Sequence, residues 1–354
     1  MEAAVVTFLV ALAAALVLTP LLRIAARALG ILDAPTLPRK QHARPTPLLG
    51  GVAVWVAFVT AIAAGLVFYP TVFEALSTRL LVGLLIASGL LMIGGYFDDR
   101  YSLPPHIQIL FPSAAAVIMV IVGVRIDTVT NPLGTGVIEL PTLISLPVTW
   151  LWFMVLMYTT KLLDGLDGLA TGISAIGSLM IVALTATALF WQPDIGALAA
   201  AVAGACIGFL VYNFHRASIF LGEGGSVLLG FLLGTCAIVS GSKIATTLLV
   251  LGVPVADMIR VAVMRFVRRA PITSGDSTHL HHLLLRAGFS HRATVLMLYA
   301  FAITFGVTTL VASPWQKAIT ILAIVLLTWG IAAVILWDSS DATRTNKSNR
   351  PTKK

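Results

Sequence analysis

The sequence predicts an all-α polytopic membrane protein, and three observations carry that reading. Of its 354 residues, 58% are hydrophobic and 11% charged, against about 25% charged in soluble domains. The apolar residues gather in runs long enough to span roughly 30 Å of hydrocarbon. The basic residues fall almost wholly on alternate loops between those runs, as the excess of Lys and Arg on inner loops requires.

Eleven apolar runs are visible: 5–22, 50–69, 80–97, 107–124, 146–160, 172–191, 195–212, 227–240, 244–264, 294–312 and 318–337. The fifth and eighth are short. The chain begins Met1-Glu2 with no basic n-region and no clear cleavage site, so its first run reads as a retained helix. With the N-terminus outside and the C-terminus inside, only Arg79, Arg125, Lys243 and Lys317 of the 23 Lys and Arg face outward. The outer loop 125–147 alternates apolar and polar residues around Asn131 to Gly136, the pattern of a small β-hairpin. Residues 1–337 thus form one transmembrane catalytic domain, and 338–354 a basic, disordered cytoplasmic tail. The net charge of +8 follows this topology, so a nucleic-acid partner is not expected. Cys206 and Cys236 lie in apolar runs, so neither a disulfide framework nor a cysteine metal site is suggested.

Carboxylates beside apolar spans are too costly to be idle. The densest segment is Lys161-Leu-Leu-Asp164-Gly-Leu-Asp167-Gly168. On a helix, acids three apart share one face, and the glycines leave room for a phosphate or a hydrated metal. The third run ends in Asp98-Asp99-Arg100. Acids at a helix C-terminus oppose the macrodipole, so a counter-ion from elsewhere is expected. Gly222-Glu223-Gly224-Gly225 precedes the eighth run like a phosphate-cradling turn. His279-Leu-His281-His282 follows the ninth, beside arginines. It suits diphosphate recognition better than zinc, whose ligands want i,i+4 spacing or split elements. All these acids fall on inner loops, and clustered carboxylates favour a hard divalent cation, Mg²⁺ with a phosphate substrate, or Mn²⁺.

From Asp33 to Tyr299 the chain resembles the polyprenyl-phosphate N-acetylhexosamine-1-phosphate transferases, the WecA-like and MraY-like membrane enzymes. The resemblance rests on Arg39-Lys40-Gln-His42 with Pro45 to Gly51, Asp98-Asp99, Asp164-Gly-Leu-Asp167, Ile219 to Ser226 around Glu223, Pro254-Val-Ala-Asp257, and His279-Leu-His281-His282. It implies Mg²⁺-dependent transfer of sugar-1-phosphate from a UDP-N-acetylhexosamine to polyprenyl (undecaprenyl) phosphate at the cytoplasmic face of the plasma (inner) membrane. The products would be UMP and a polyprenyl-diphosphate sugar, which starts a cell-surface glycan such as teichoic acid or lipopolysaccharide. It also suggests a homodimer.

The resemblance further implies roles for named residues. Asp98, Asp99, Asp164, Asp167 and His281 would be catalytic. Lys40, His42, Lys161, Asn213, His279 and His282 would bind substrate, and Glu223, Asp99 and Asp164 would hold the metal. The His-Leu-His-His form favours UDP-N-acetylglucosamine as donor. Three positions depart from the family pattern: Glu223 replaces Asp, Lys161 replaces Asn, and Gln108 stands where Lys is usual. The expectation is that the last two compensate, an ammonium lost from the fourth run being resupplied from the fifth.

The non-enzyme alternative is a transporter or lipid flippase. Such proteins place charges mid-membrane, often in repeated halves, and neither feature is seen. A CDP-alcohol phosphotransferase would want Arg where Thr171 stands.

Overall fold

A computed structural model describes residues 1–33, 45–131, 136–241, 244–267, 269 and 278–348, with side chains described as far as 336. The chain runs α1 (Glu2–Ala28), β1 (Leu32–Asp33), β2 (Thr46–Pro47), α2 (Gly50–Phe68), α3 (Pro70–Phe73), α4 (Thr78–Tyr101), α5 (Pro105–Gln108) and α6 (Leu110–Ile121). It continues through β3 (Thr128–Thr130), β4 (Val137–Glu139), α7 (Thr142–Leu163), α8 (Leu169–Thr185), α9 (Pro193–Asn213) and α10 (Gly222–Val239). The last elements are α11 (Ile244–Val250), α12 (Gly252–Val267), α13 (Leu280–Arg286), α14 (His291–Val311) and α15 (Pro314–Ser348).

Eight of these helices are long and apolar enough to cross a membrane. The α11–α12 pair passes the same test as one span bent by 79°, and Pro105–Ile121 and α8 are shorter apolar segments. The protein is a multi-pass membrane protein. The fifth and eighth runs, short in sequence, become helices of 22 and 18 residues. They gain length by taking flanking polar and glycine residues into their first turns. The fourth and sixth runs are the shorter helices instead.

The predicted hairpin is present: Thr128 pairs with Glu139 and Thr130 with Val137, antiparallel. A second, unpredicted ladder joins Leu32 to Pro47 and Asp33 to Thr46. Two residues per strand are too few to show alternation. The tail expected to be disordered from Asp338 is helical as far as Ser348. No glycine or proline stands between Gly330 and Pro351, so nothing local stops α15.

Helix α10 is the centre of the bundle. It is apolar all round and buried along nearly its whole length, as such a helix must be. Helices α2, α4, α7, α8, α9 and α11 pack around it. Small residues set the closest crossings. A Cβ on Gly95 would stand 2.2 Å from Gly224 Cα, and one on Gly51 would stand 2.3 Å from Gly225 Cα. Two glycine pairs therefore bring α4 and α2 onto the first turn of α10, backbone against backbone. The end of α4, with its two acids, is carried to the start of α10, with its glutamate.

Several buried hydroxyls are satisfied locally, as an apolar surround favours. Ser88, Thr160 and Thr235 each donate to a carbonyl one turn back. Trp55 crosses from α2 to donate to Ser88 of α4 at 2.9 Å.

Candidate active site

Three of the predicted site segments meet, with Gln108, in one ring of contacts. Asp98 Oδ1 accepts from the Leu103 N–H at 2.7 Å and from Gln108 Nε2 at 3.0 Å. Gln108 Oε1 in turn accepts from Lys161 Nζ at 3.2 Å, and Lys161 ion-pairs with Glu223. The ring closes through Asp99, whose Oδ1 accepts the Glu223 N–H at 3.0 Å.

Asp99 caps α10 from another helix. The residue before α10, Leu221, offers no side-chain cap, and a carboxylate on a helix N-terminal N–H is favourable. The counter-charge expected for acids at the end of α4 is thus a helix N-terminus for Asp99, while Asp98 is held by the neutral amide of Gln108, itself bonded by Lys161. Gly222, with φ of 74°, makes room at this point: its Cβ position lies 2.4 Å from Asp99 Oδ2.

The three departures from the family pattern, Gln108, Lys161 and Glu223, touch one another in this ring. Lys161 also lies 5.5 Å from the centre of the Tyr158 ring.

Asp164 ends α7 beside this ring. Burial and the charges of Glu223, Asp99 and Asp167 hold its carboxyl well above the usual carboxylate range. His281 reaches the same loop from α13. Its Nε2 is 3.0 Å from where a Gly165 Cβ would be, and this buried nitrogen has no hydrogen-bond partner. Burial and the neighbouring His282 and His279 lower its pKa to about 3, so the ring is neutral.

His279 is fixed from behind. Asp257 Oδ2 accepts from His279 Nδ1 at 2.8 Å and from the Leu280 N–H at 3.0 Å, and Oδ1 accepts two N–H bonds from Arg260. Arg260 also donates to the Thr278 carbonyl. His282 packs on His281 with ring centres 4.2 Å apart.

Asp167 turns aside from the ring of acids. Its Oδ2 accepts from His215 Nδ1 at 3.1 Å and from the Ala217 N–H at 3.0 Å, tying the α7–α8 loop to the α9–α10 loop. Asn213 is buried, accepting from Thr171 and donating to the Ile219 carbonyl, and so braces that second loop. Lys40 and His42 lie outside the described residues.

In the sequence Asp257 stands out only within the Pro254-Val-Ala-Asp257 motif, with no role attached, and Arg260, His215 and His291 are not marked as site residues. An acid and an arginine inside the apolar ninth run were the available signal for the first pair. No local pattern marks His215 or His291.

The donor chemistry of Asp98, Asp99, Asp164 and Glu223 fits a hard divalent cation, being all oxygen. These acids are not closed around one point: Asp99, Asp164 and Glu223 do not form a tight donor set, and Lys161 holds Glu223. Among the described residues the set with donor atoms within 4.8 Å of one another is Asp167, His215 and His291. That set suits a metal poorly. The two imidazoles are stacked 4.2 Å apart at 23°, so their in-plane lone pairs run side by side instead of converging.

Comparison with known proteins places the chain in a family. The Glycosyl transferase family 4 model matches residues 80–241, from α4 to the end of α10. The chain is 31% identical to a Bacillus subtilis (strain 168) protein named probable undecaprenyl-phosphate N-acetylglucosaminyl 1-phosphate transferase, over 93% of this chain and 91% of that one. It is 32% identical to a decaprenyl-phosphate N-acetylglucosaminephosphotransferase of Mycolicibacterium smegmatis, over 79% and 76%. It is 26% identical to the undecaprenyl-phosphate alpha-N-acetylglucosaminyl 1-phosphate transferase of Escherichia coli K12, over 78% and 76%. With similarity along nearly its whole length and the acids of α4, α7 and α10 brought to one place, the chain belongs to glycosyl transferase family 4, the WecA-like and MraY-like membrane transferases.

Proposed function

We propose that the protein transfers N-acetylglucosamine-1-phosphate from its UDP-sugar to a polyprenyl phosphate, releasing UMP. One observation carries the reading: carboxylates from three distant helices, with a buried and unpartnered histidine nitrogen, meet at one end of a membrane bundle.

In the reaction an oxygen of the lipid phosphate attacks the phosphorus bonded to the sugar. The bond from that phosphorus to the oxygen shared with the uridine-bearing phosphate breaks, and UMP leaves with the electron pair. Such a transfer needs alignment and charge neutralisation more than covalent help. A phosphomonoester has its second pKa near 6, so most of the attacking lipid phosphate has already lost its proton at neutral pH. A strong base is therefore unnecessary, and Asp98 and Asp99 act chiefly to position.

Asp99, Asp164 and Glu223 would hold Mg²⁺ (or Mn²⁺), which when bound offsets the charge on the departing phosphate. With Glu223 on the ion, the Lys161 ammonium would be available to the diphosphate. Asp257 presents the imidazole of His279, and His281 offers its free nitrogen to sugar or phosphate. Lys40, His42 and His282 complete the substrate contacts.

Counting eight long helices, one bent pair and two shorter segments supports eleven spans. The basic-residue bias supports the N-terminus outside, the C-terminus inside and a site on the cytoplasmic face of the plasma membrane. A homodimer is the proposed assembly.

The test is incubation of purified protein with labelled UDP-N-acetylglucosamine, polyprenyl phosphate and Mg²⁺. Label entering lipid with equimolar UMP supports the reading. Transit of label across vesicles without UMP would instead establish the transporter.

A further inference from the structure

We propose that the opening lined by His215, Arg216, Ser290, His291 and Arg292 is a second, phosphate-binding site, distinct from the carboxylate ring. The opening holds about 480 Å³, room for a phosphate or diphosphate group with part of what it is attached to. Its walls come from the α9–α10 loop and the start of α14, and they are cationic. Arg216 and Arg292 bring two permanent charges and a surplus of N–H donors. Arg292 uses one of these on the His215 carbonyl at 3.1 Å, which ties the two walls together.

Among the described residues the acid that reaches this opening, through His215, is Asp167, and it is already engaged by His215 Nδ1 and the Ala217 N–H. Asp167 thus holds the His215 ring in place and offsets at most one of the surrounding charges. The balance left for a ligand is positive. This excludes a cation as the natural occupant and selects an anion with several acceptor oxygens, for which arginine forks are suited.

Position narrows the source. Phe289, next to Ser290, is 47% exposed, and Val211, at the end of α9, is 66% exposed. Large exposed apolar groups on a membrane bundle face lipid, so the opening sits where hydrocarbon gives way to headgroups. A phosphate can reach it from a lipid headgroup or from a nucleotide arriving from water. The charge argument is the same for both, and it does not depend on the transferase reading.

The experiment uses the full chain in metal-free buffer, so that the carboxylate ring cannot recruit phosphate through a cation. Three probes are titrated: inorganic pyrophosphate and UDP by calorimetry, and phosphatidylglycerol against phosphatidylcholine in nanodiscs by lipid retention. The variants are Arg216→Gln, Arg216→Gln with Arg292→Gln, and the charge-preserving Arg216→Lys with Arg292→Lys. Arg79→Gln, an exposed arginine at the start of α4, serves as a charge-loss control outside the opening.

The double glutamine variant should weaken at least one probe by tenfold or more, since each charge-assisted contact is worth about that factor. The lysine pair should keep part of the binding, and Arg79→Gln all of it. A loss confined to phosphatidylglycerol assigns a lipid headgroup, and a loss confined to UDP assigns the nucleotide. Should the double variant unfold, Arg216→Gln alone, whose side chain does not join the two walls, must still weaken binding severalfold. If every probe binds folded variants within threefold of the parent, or if Arg79→Gln loses as much as the arginine variants, the site does not exist.

Discussion

His279 Nδ1 lies 2.8 Å from Asp257 Oδ2, and the same carboxylate holds Arg260, all three side chains being buried. The proton on Nδ1 is fixed by an acceptor that cannot donate, so Nε2 is the nitrogen presented to a ligand. Asp257→Asn would put an amide N–H against Nδ1 and favour the opposite tautomer. Turnover should fall by at least about tenfold, the scale of losing one oriented donor to a phosphoryl oxygen, while the affinity for UDP changes little. Breaking the buried pair should also lower stability by about 3–5 kcal/mol. Steady-state kinetics and thermal unfolding in detergent measure the two effects.

The ring Asp98–Gln108–Lys161–Glu223 gives the compensation hypothesis a physical form, because Lys161 Nζ touches both Gln108 and Glu223. Lys161→Asn and Gln108→Lys should each impair turnover, the first by leaving Glu223 without its cation, the second by placing two ammonium groups together. The double variant should recover part of the loss, with a coupling of about 0.5–3 kcal/mol for residues in contact. Additive losses in the double-mutant cycle would remove the hypothesis.

Much of this site was legible because its chemistry is local. Asp98-Asp99, Asp164 with Asp167, and Glu223 among glycines each stand out against apolar neighbours, and their common side follows from the loop charges. What could not be read is pairing across helices. That Asp99 caps α10, that Lys161 meets Glu223, and that Asp167 turns to His215 depend on how far α4, α7 and α10 approach, which periodicity does not encode. The same holds for the fold. Apolar runs mark α1, α2 or α14, but the bend between α11 and α12 and the two-residue ladder at Leu32 leave no pattern. The hairpin was visible because its outer strands alternate.

His281 gives a pH dependence. Its pKa is about 3 in the fold against 6.5 for a free histidine. Between those values the unfolded chain binds a proton that the folded chain refuses. The contribution to stability is therefore complete above about pH 6.5 and is lost as pH falls towards 3. The linkage is roughly 1.4 kcal/mol per pH unit, or about 2 kcal/mol by pH 5. Replacing the ring by His281→Gln should flatten this acid limb of the unfolding curve. An unchanged slope between pH 6.5 and 5 would show that the histidine is not kept neutral.

The α4–α10 crossing offers the sharpest test of how fold makes site. A Cβ on Gly95 would fall 2.2 Å from both Cα and N of Gly224, backbone atoms that cannot rotate away. Gly95→Ala must push the end of α4 off the first turn of α10, lengthening the Asp99 contact to the Glu223 N–H. Overpacking of this kind costs about 1–3 kcal/mol, which a bundle of this size should survive, so the variant is expected to fold. Its transfer rate should nonetheless fall by more than tenfold, because phosphoryl transfer rests on charges held in register. Gly89→Ala on the same helix, where the added Cβ meets only Trp55 at 3.6 Å, should leave both activity and melting temperature close to the parent. Equal losses in the two variants would mean that α4 simply tolerates no added methyl, and that the glycine pair does not specifically set the distance between the acids.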